Sequence, residues 1–301
     1  MSADTTKERL DLLACALDTG ITHFDTAAYY GYGESERLLG QALQRHRDRV
    51  TITTKFGLEP SAVVQSRWVN LAARRLLAIV PGLRKVAGKA RGALSASGLF
   101  EPDKARASLD RSLQALRTDY VDLFLMHEPQ LSDACSDSLT SFLDDEVRRG
   151  RIRAYGCGGE WPRIREIAKA AAPASKWLQF EDNPVFRHLE AVESGGAKCI
   201  TFAPFNTALA VVVDWLDQHP GQCGVWSKQL EVDCSDKGNL AMLLQAGSHA
   251  RNGNGIVLFS SKNSQRIKQA ARVASGEVFS SEQVKQFLEL TKDVLTKTQT
   301  R

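Results

Sequence analysis

The feature that most constrains this chain is its rhythm. Short β-branched and apolar runs alternate with stretches whose leucines and alanines recur every three or four positions. Strands are predicted at 21–24, 50–55, 120–126, 152–155, 177–180, 198–202 and 256–259. Helical patterns follow at 34–44, 102–116, 139–149, 163–172, 186–194, 211–218, 240–250, 264–274 and from 281 to about 295. A further helix opens the chain, with Thr5 or Thr6 as its cap, Glu8 in its first turn and Gly20 at its end. Strands alternating with helices, with no hairpin signal between them, imply right-handed βαβ units and a parallel sheet. The fold class is therefore α/β, a TIM-type (β/α)8 barrel with seven strands readable where closure needs eight. No linker or low-complexity tract divides the 301 residues, so one barrel domain over 1–301 is expected.

One stretch breaks the rhythm. Between Glu59 and Glu101 there is no acidic residue, while Arg67, Arg74, Arg75, Arg84, Lys85, Lys89 and Arg91 are mixed with apolar side chains. We read 58–100 as a basic insert in a βα loop, with an amphipathic helix at about 67–79 and an Ala/Gly/Ser-rich loop behind it. A solvated excursion is the preferred reading over a phosphate-facing lid or a membrane-surface patch.

The bulk properties exclude several classes. A net charge of +4 is too mild to argue for nucleic acid but suits an anionic ligand. The six cysteines are scattered and form no CxxC, so neither a zinc site nor a thioredoxin-type pair is expected. Metal-ligating spacing is absent among the histidines. The opening MSADTTKERLDLL has no apolar core of a signal peptide, and no run reaches the eighteen apolar residues of a membrane span. A cytoplasmic protein with no membrane partner is expected. The sequence leaves the oligomeric state open.

Four polar residues fall at the C-terminal ends of consecutive strands or in the loop just after one: Asp25, Tyr30, Lys55 and His127. That end of a parallel barrel is where active sites are built. A tyrosine donates a proton poorly unless its pKa of about 10 is lowered. A nearby ammonium lowers it by favouring phenolate, and a carboxylate holds the ammonium in place. A histidine at the same mouth can hydrogen-bond a carbonyl oxygen. Together these make a proton-donating site for carbonyl reduction.

The stretch FDTAAYYGYGESERLLGQAL resembles the signature of the aldo-keto reductase superfamily, as do VTITTK and SLQALRTDYVDLFLMHEP. The resemblance continues through RGRIRAYG, QFEDNP and the last barrel unit, sparing only the basic insert. It implies a catalytic tetrad of Asp25, Tyr30, Lys55 and His127. Tyr30 is singled out from Tyr29 and Tyr32 because the family tyrosine lies five residues after the aspartate. The resemblance further implies NADP as cofactor and a small aldehyde or ketone as substrate. The nicotinamide would be held by Gln179, Asn183 and the 157–159 turn with Gly158, and Phe202 would stack on it. Ser260, Ser261, Lys262 and Arg266 would clamp the 2′-phosphate. The chain departs from the family in three places. The first barrel strand is not readable before Thr5, which leads us to expect a start upstream. Gly158-Gly159 replaces a pair that usually carries a side-chain hydroxyl, and Gln269-Ala270 replaces the Glu-Asn pair at adenine. The alternative reading is therefore a non-catalytic nicotinamide-binding relative.

Overall fold

The computed structural model describes residues 5–60, 95–96, 100–192 and 196–298. The chain forms two compact units, His23–Gly158 and Met1–Thr22 together with Gly159–Arg301.

The His23–Gly158 unit is built on four parallel strands. They are β1 (His23–Asp25), β2 (Thr51–Phe56), β3 (Val121–His127) and β4 (Ile152–Gly158). Each pairs with the next in the order of the chain. The register sets Asp25 beside Thr53, Lys55 beside Leu125, and His127 beside Gly158. Helices α1 (Thr6–Asp18), which belongs to the other unit, α2 (Glu34–Leu43) and α3 (Pro102–Leu116) follow the predicted bounds closely. They are followed by the short α4 (Leu131–Ala134) and by α5 (Asp137–Arg148).

The core of this unit lies between strands and helices. Ile52, Phe56, Phe124, Leu125, Leu109, Leu116 and Leu139 are all at most 2% exposed. Phe56 and Phe124 stack 4.4 Å apart across β2 and β3. Each such side chain contributes about 1.5–3 kcal/mol by leaving water. Helix α2 lies so close to α3 that a Cβ on Gly40 would come within 2.5 Å of the Ala115 carbonyl oxygen. At the N-terminal end of the strands Arg47 donates to the Val50 and Tyr120 carbonyls and to Asp122, and Asp122 accepts from the Ile52 N–H. This clip ties β2 to β3 and so fixes the stagger of the strands that carry Lys55 and His127.

One expectation in this unit changes. The fourth strand does not stop at Tyr155. It runs on through the glycine-rich segment to Gly158, because the parallel ladder bonds the backbone and the partner strand continues to His127. The helix expected at 67–79 and the loop behind it lie outside the described residues. The two ends of that insert are paired antiparallel, Glu59 with Ala96 and Pro60 with Ser95.

The second unit contains α1 and everything after Gly159. Thr5 caps α1 in a reciprocal capping box with Glu8. Its three parallel strands are β5 (Trp177–Glu181), β6 (Lys198–Phe202) and β7 (Ile256–Val257). Helices α6 (Trp161–Lys169), α7 (Asn206–Gln218), α8 (Pro220–Leu230), α9 (Lys237–Arg251), α10 (Ser264–Ala274) and α11 (Ser281–Thr298) surround them. A core cluster centred on Trp215, Trp226, Leu243 and Phe287 joins α7, α8, α9 and α11.

Two further expectations change here. Over 186–192, the described part of the helix expected at 186–194, there is instead a 3-10 turn, His188–Ala191. The Asn183 side-chain oxygen takes the N–H groups of Val185 and Phe186, and Arg187 sits at a left-handed φ of 52°. Both oppose α-helix propagation. Helix α8 lies between the patterns at 211–218 and 240–250, where no element is expected from the sequence. Proline is tolerated at the first helical position, and burial of Trp226 and Leu230 decides the matter.

Candidate active site

The four residues predicted for catalysis all lie in the His23–Gly158 unit. Asp25 ends β1, Lys55 is the penultimate residue of β2, and His127 ends β3. Tyr30 opens the 3-10 turn Tyr30–Gly33 that leads into α2. The structure brings them together. Lys55 Nζ donates to Asp25 Oδ2 at 2.6 Å and to the Thr26 carbonyl at 3.0 Å. The Lys55 side chain is 2% exposed, so its ammonium is held by these oxygens with almost no water. The Tyr30 ring centroid lies 5.0 Å from that nitrogen. The same ring meets His127 edge-on, centroids 5.8 Å apart and planes at 90°. Tyr30 is the exposed member of the group, at 39%.

Charge and burial together define the state of the histidine. Burial, and secondarily the Lys55 charge, push the His127 imidazole down to about 3. His127 is therefore neutral in any ordinary buffer. No described residue takes up either of its ring nitrogens, and a neutral imidazole keeps one N–H to donate. The next residue, Glu128, turns the chain away at a left-handed φ of 59°, with its N–H on the Gly158 carbonyl. The site as a whole holds a fixed cation, a phenol near it, and a neutral donor against the phenol ring.

The residues expected to hold a cofactor are distributed differently. Gly158 ends β4 in the first unit, and the rest lie in the second. Gln179 is buried within β5, and its carbonyl accepts from the Gly159 N–H. Phe202 ends β6 and is half-buried. Its carbonyl accepts from the Asp182 N–H, and Ala203 then turns at φ 56°. Asn183 is fully buried. Its oxygen is used for the turn described above, while its Nδ2 has no partner among the described residues. Ser260, Ser261, Lys262 and Arg266 lie at the start of α10 on a largely exposed loop. There Asn263 caps the helix by accepting from the Gln265 and Arg266 N–H groups, and Ser261 braces Asn263. Cys157, beside Gly158, is a buried thiol pushed up to about 12 by its burial.

One pair escaped the sequence reading. Glu36, on α2, is 2% exposed and accepts from the Thr54 hydroxyl at 2.6 Å. The available signal was its place on the stripe formed with Leu39, Gly40 and Leu43, where a charge is out of place. Among the described residues no helix is long and apolar enough to cross a membrane, and no cluster of His, Cys, Asp and Glu could hold a metal ion.

Parallel strands alternating with helices make the fold α/β, of the TIM-type (β/α)8 class, with seven such strands among the described residues. The chain belongs to the aldo/keto reductase family, whose model matches residues 3–194. It is 28% identical over 184 residues to an uncharacterized oxidoreductase, YqkF, of Bacillus subtilis, covering 60% of this chain and 50% of that protein. The chain thus spans about half the length of the curated relatives it matches. Its fold is similar to that of aldo-keto reductase AKR11C1 from Bacillus halodurans in its holo form. The TM-score there is 0.70 at 16% identity, covering 96% of this chain and 88% of the other. It is similar also to an aldo-keto reductase from Klebsiella pneumoniae in complex with NADPH, with a TM-score of 0.62 at 19% identity, covering 96% and 87%.

Proposed function

We propose that this protein is an NADP-dependent oxidoreductase that reduces an aldehyde or ketone to the alcohol. The observation that carries the reading is the buried Lys55 ammonium, fixed 2.6 Å from Asp25 and 5.0 Å from the Tyr30 ring. When bound, the nicotinamide supplies a hydride for the carbonyl carbon. Tyr30 holds the proton destined for the carbonyl oxygen. Lys55 favours the phenolate that remains after the proton leaves, and Asp25 keeps Lys55 in place. His127, being neutral, donates an N–H to the carbonyl oxygen and orients it without adding charge.

The cofactor residues fit in part. The unpartnered Nδ2 of Asn183 is a donor suited to a carboxamide oxygen. Gln179 and Phe202, in the same unit as Asn183, would complete its side of the nicotinamide site. Ser260, Ser261, Lys262 and Arg266 offer hydroxyls and cations to a phosphate, and Arg266 inclines the choice to NADP over NAD. A second reading, a nicotinamide-binding relative without turnover, is favoured by Gly158-Gly159, which offers no side-chain donor. The two readings separate in an NADPH-consumption screen over aldehydes and ketones, paired with a fluorescence titration of NADPH. Turnover of any carbonyl supports the enzyme, binding without turnover supports the second reading, and failure to bind sinks both.

A further inference from the structure

Tyr30 sits on a 3-10 turn at the protein surface, a weak platform for a group whose place relative to Lys55 decides its chemistry. Three links stiffen it. First, the Glu34 N–H donates back to the Tyr30 and Gly31 carbonyls, so the turn is hydrogen-bonded to the start of α2. Second, two residues on, Glu36 in the first turn of α2 accepts from the Thr54 hydroxyl at 2.6 Å. Third, Thr54 is the immediate neighbour of Lys55 on β2. Successive strand residues face opposite ways, so Thr54 meets the helix while Lys55 meets Asp25.

A carboxyl at 2% exposure is an expensive device for joining a helix to a sheet when a leucine would do. Burial raises the Glu36 carboxyl above the usual range, against the opposing hydrogen bond from Thr54. What the bond adds over apolar packing is direction. Apolar contact lets a helix slide along a strand, whereas a 2.6 Å hydrogen bond fixes one residue against one residue. The close approach of Gly40 to α3 fixes the other end of the same helix.

The geometry points to Glu36 as a positioning residue: through Thr54 it holds the start of α2, and with it the Tyr30 turn, in one place relative to Lys55. This rests on the reading of Tyr30 as proton donor, but its effect on geometry can be measured without turnover. The His127 ring protons lie in the ring-current field of Tyr30, 5.8 Å away and edge-on. With six histidines in the chain, the His127 signals are identified by their loss in His127→Gln.

The test compares Glu36→Leu, Thr54→Val and Glu36→Gln on the full chain. The first two are expected to move the His127 signals toward their positions in Tyr30→Leu. They should also lower kcat on the order of 10-fold or more, with KM little changed, as small misplacements of reacting groups do. Glu36→Gln retains an acceptor for the Thr54 hydroxyl and is expected to rescue both. His127 signals that stay put in folded Glu36→Leu and Thr54→Val would overturn the inference. So would a Glu36→Gln variant no better than the leucine. If Glu36→Leu fails to fold, Thr54→Val against Glu36→Gln decides. A wild-type chain with no turnover would refute the functional reading, while the histidine signals still judge the role of Glu36.

Discussion

Breaking the Asp25–Lys55 pair should cost far more than removing a surface ion pair, and the two single losses should not add. In Asp25→Asn the Lys55 ammonium keeps the Thr26 carbonyl but loses its counter-charge at 2% exposure. Removal of one partner from a buried pair costs about 3–5 kcal/mol, because the other charge stays behind uncompensated. Lys55→Met leaves the Asp25 carboxylate, whose side chain is 15% exposed, so water relieves part of the loss. About 2–3 kcal/mol is expected there. The double variant strands no charge and should be no worse than the weaker single. If the double variant loses no more than Lys55→Met, the coupling is at least the Asp25→Asn loss, about 3–5 kcal/mol. Urea unfolding at pH 7 measures all four chains, and the Asp25→Asn loss corresponds to a fall in Tm of roughly 10 °C. Single losses below about 1 kcal/mol that add in the double variant would refute the reasoning, because that is how a solvated pair behaves.

Two other outcomes follow from the same packing. The His127 imidazole is pushed down to about 3 in the folded chain, against an ordinary value of 6.5. The unfolded chain therefore binds one more proton between those values. Stability is held above pH 6.5 and lost as the pH falls toward 3, by up to about 1.4 kcal/mol per pH unit. Urea midpoints for wild type and His127→Gln should diverge at pH 7 relative to pH 4.5, and parallel pH profiles would count against a buried neutral ring. Gly40→Ala places a Cβ 2.5 Å from the Ala115 carbonyl and 2.6 Å from the Leu116 carbonyl carbon. It should cost about 1–3 kcal/mol through overpacking, and a thermal melt unchanged from wild type would show that α2 and α3 can separate freely.

The parts of the molecule legible in the sequence are those written by periodicity and by residues that act singly. The bounds of α3, β6 and α10 fall where the pattern places them, and Asp25, Lys55 and His127 stand at strand ends as their spacing implies. What escaped is decided by partners distant in sequence. Glu36 is surface-like on its own and becomes a buried acceptor only through Thr54, 18 residues away. Asn183 reads as a ligand donor, yet its oxygen is committed to a turn and only its nitrogen remains. Helix α8 carries a proline and two glycines that local propensity counts against, and the cluster around Trp226 outweighs them.

In the proposed reaction Tyr30 supplies the proton to the carbonyl oxygen beside the Asp25-anchored Lys55. The most direct measurement is a single turnover with NADPH deuterated at C4, in wild type and in Tyr30→Phe. The variant keeps the ring against His127 and removes only the hydroxyl. Wild type is expected to deliver deuterium to the carbonyl carbon of the alcohol formed. Tyr30→Phe should bind NADPH with unchanged affinity and react on the order of 10²–10⁴-fold more slowly. An equal rate of deuterium transfer in the two proteins would contradict the account.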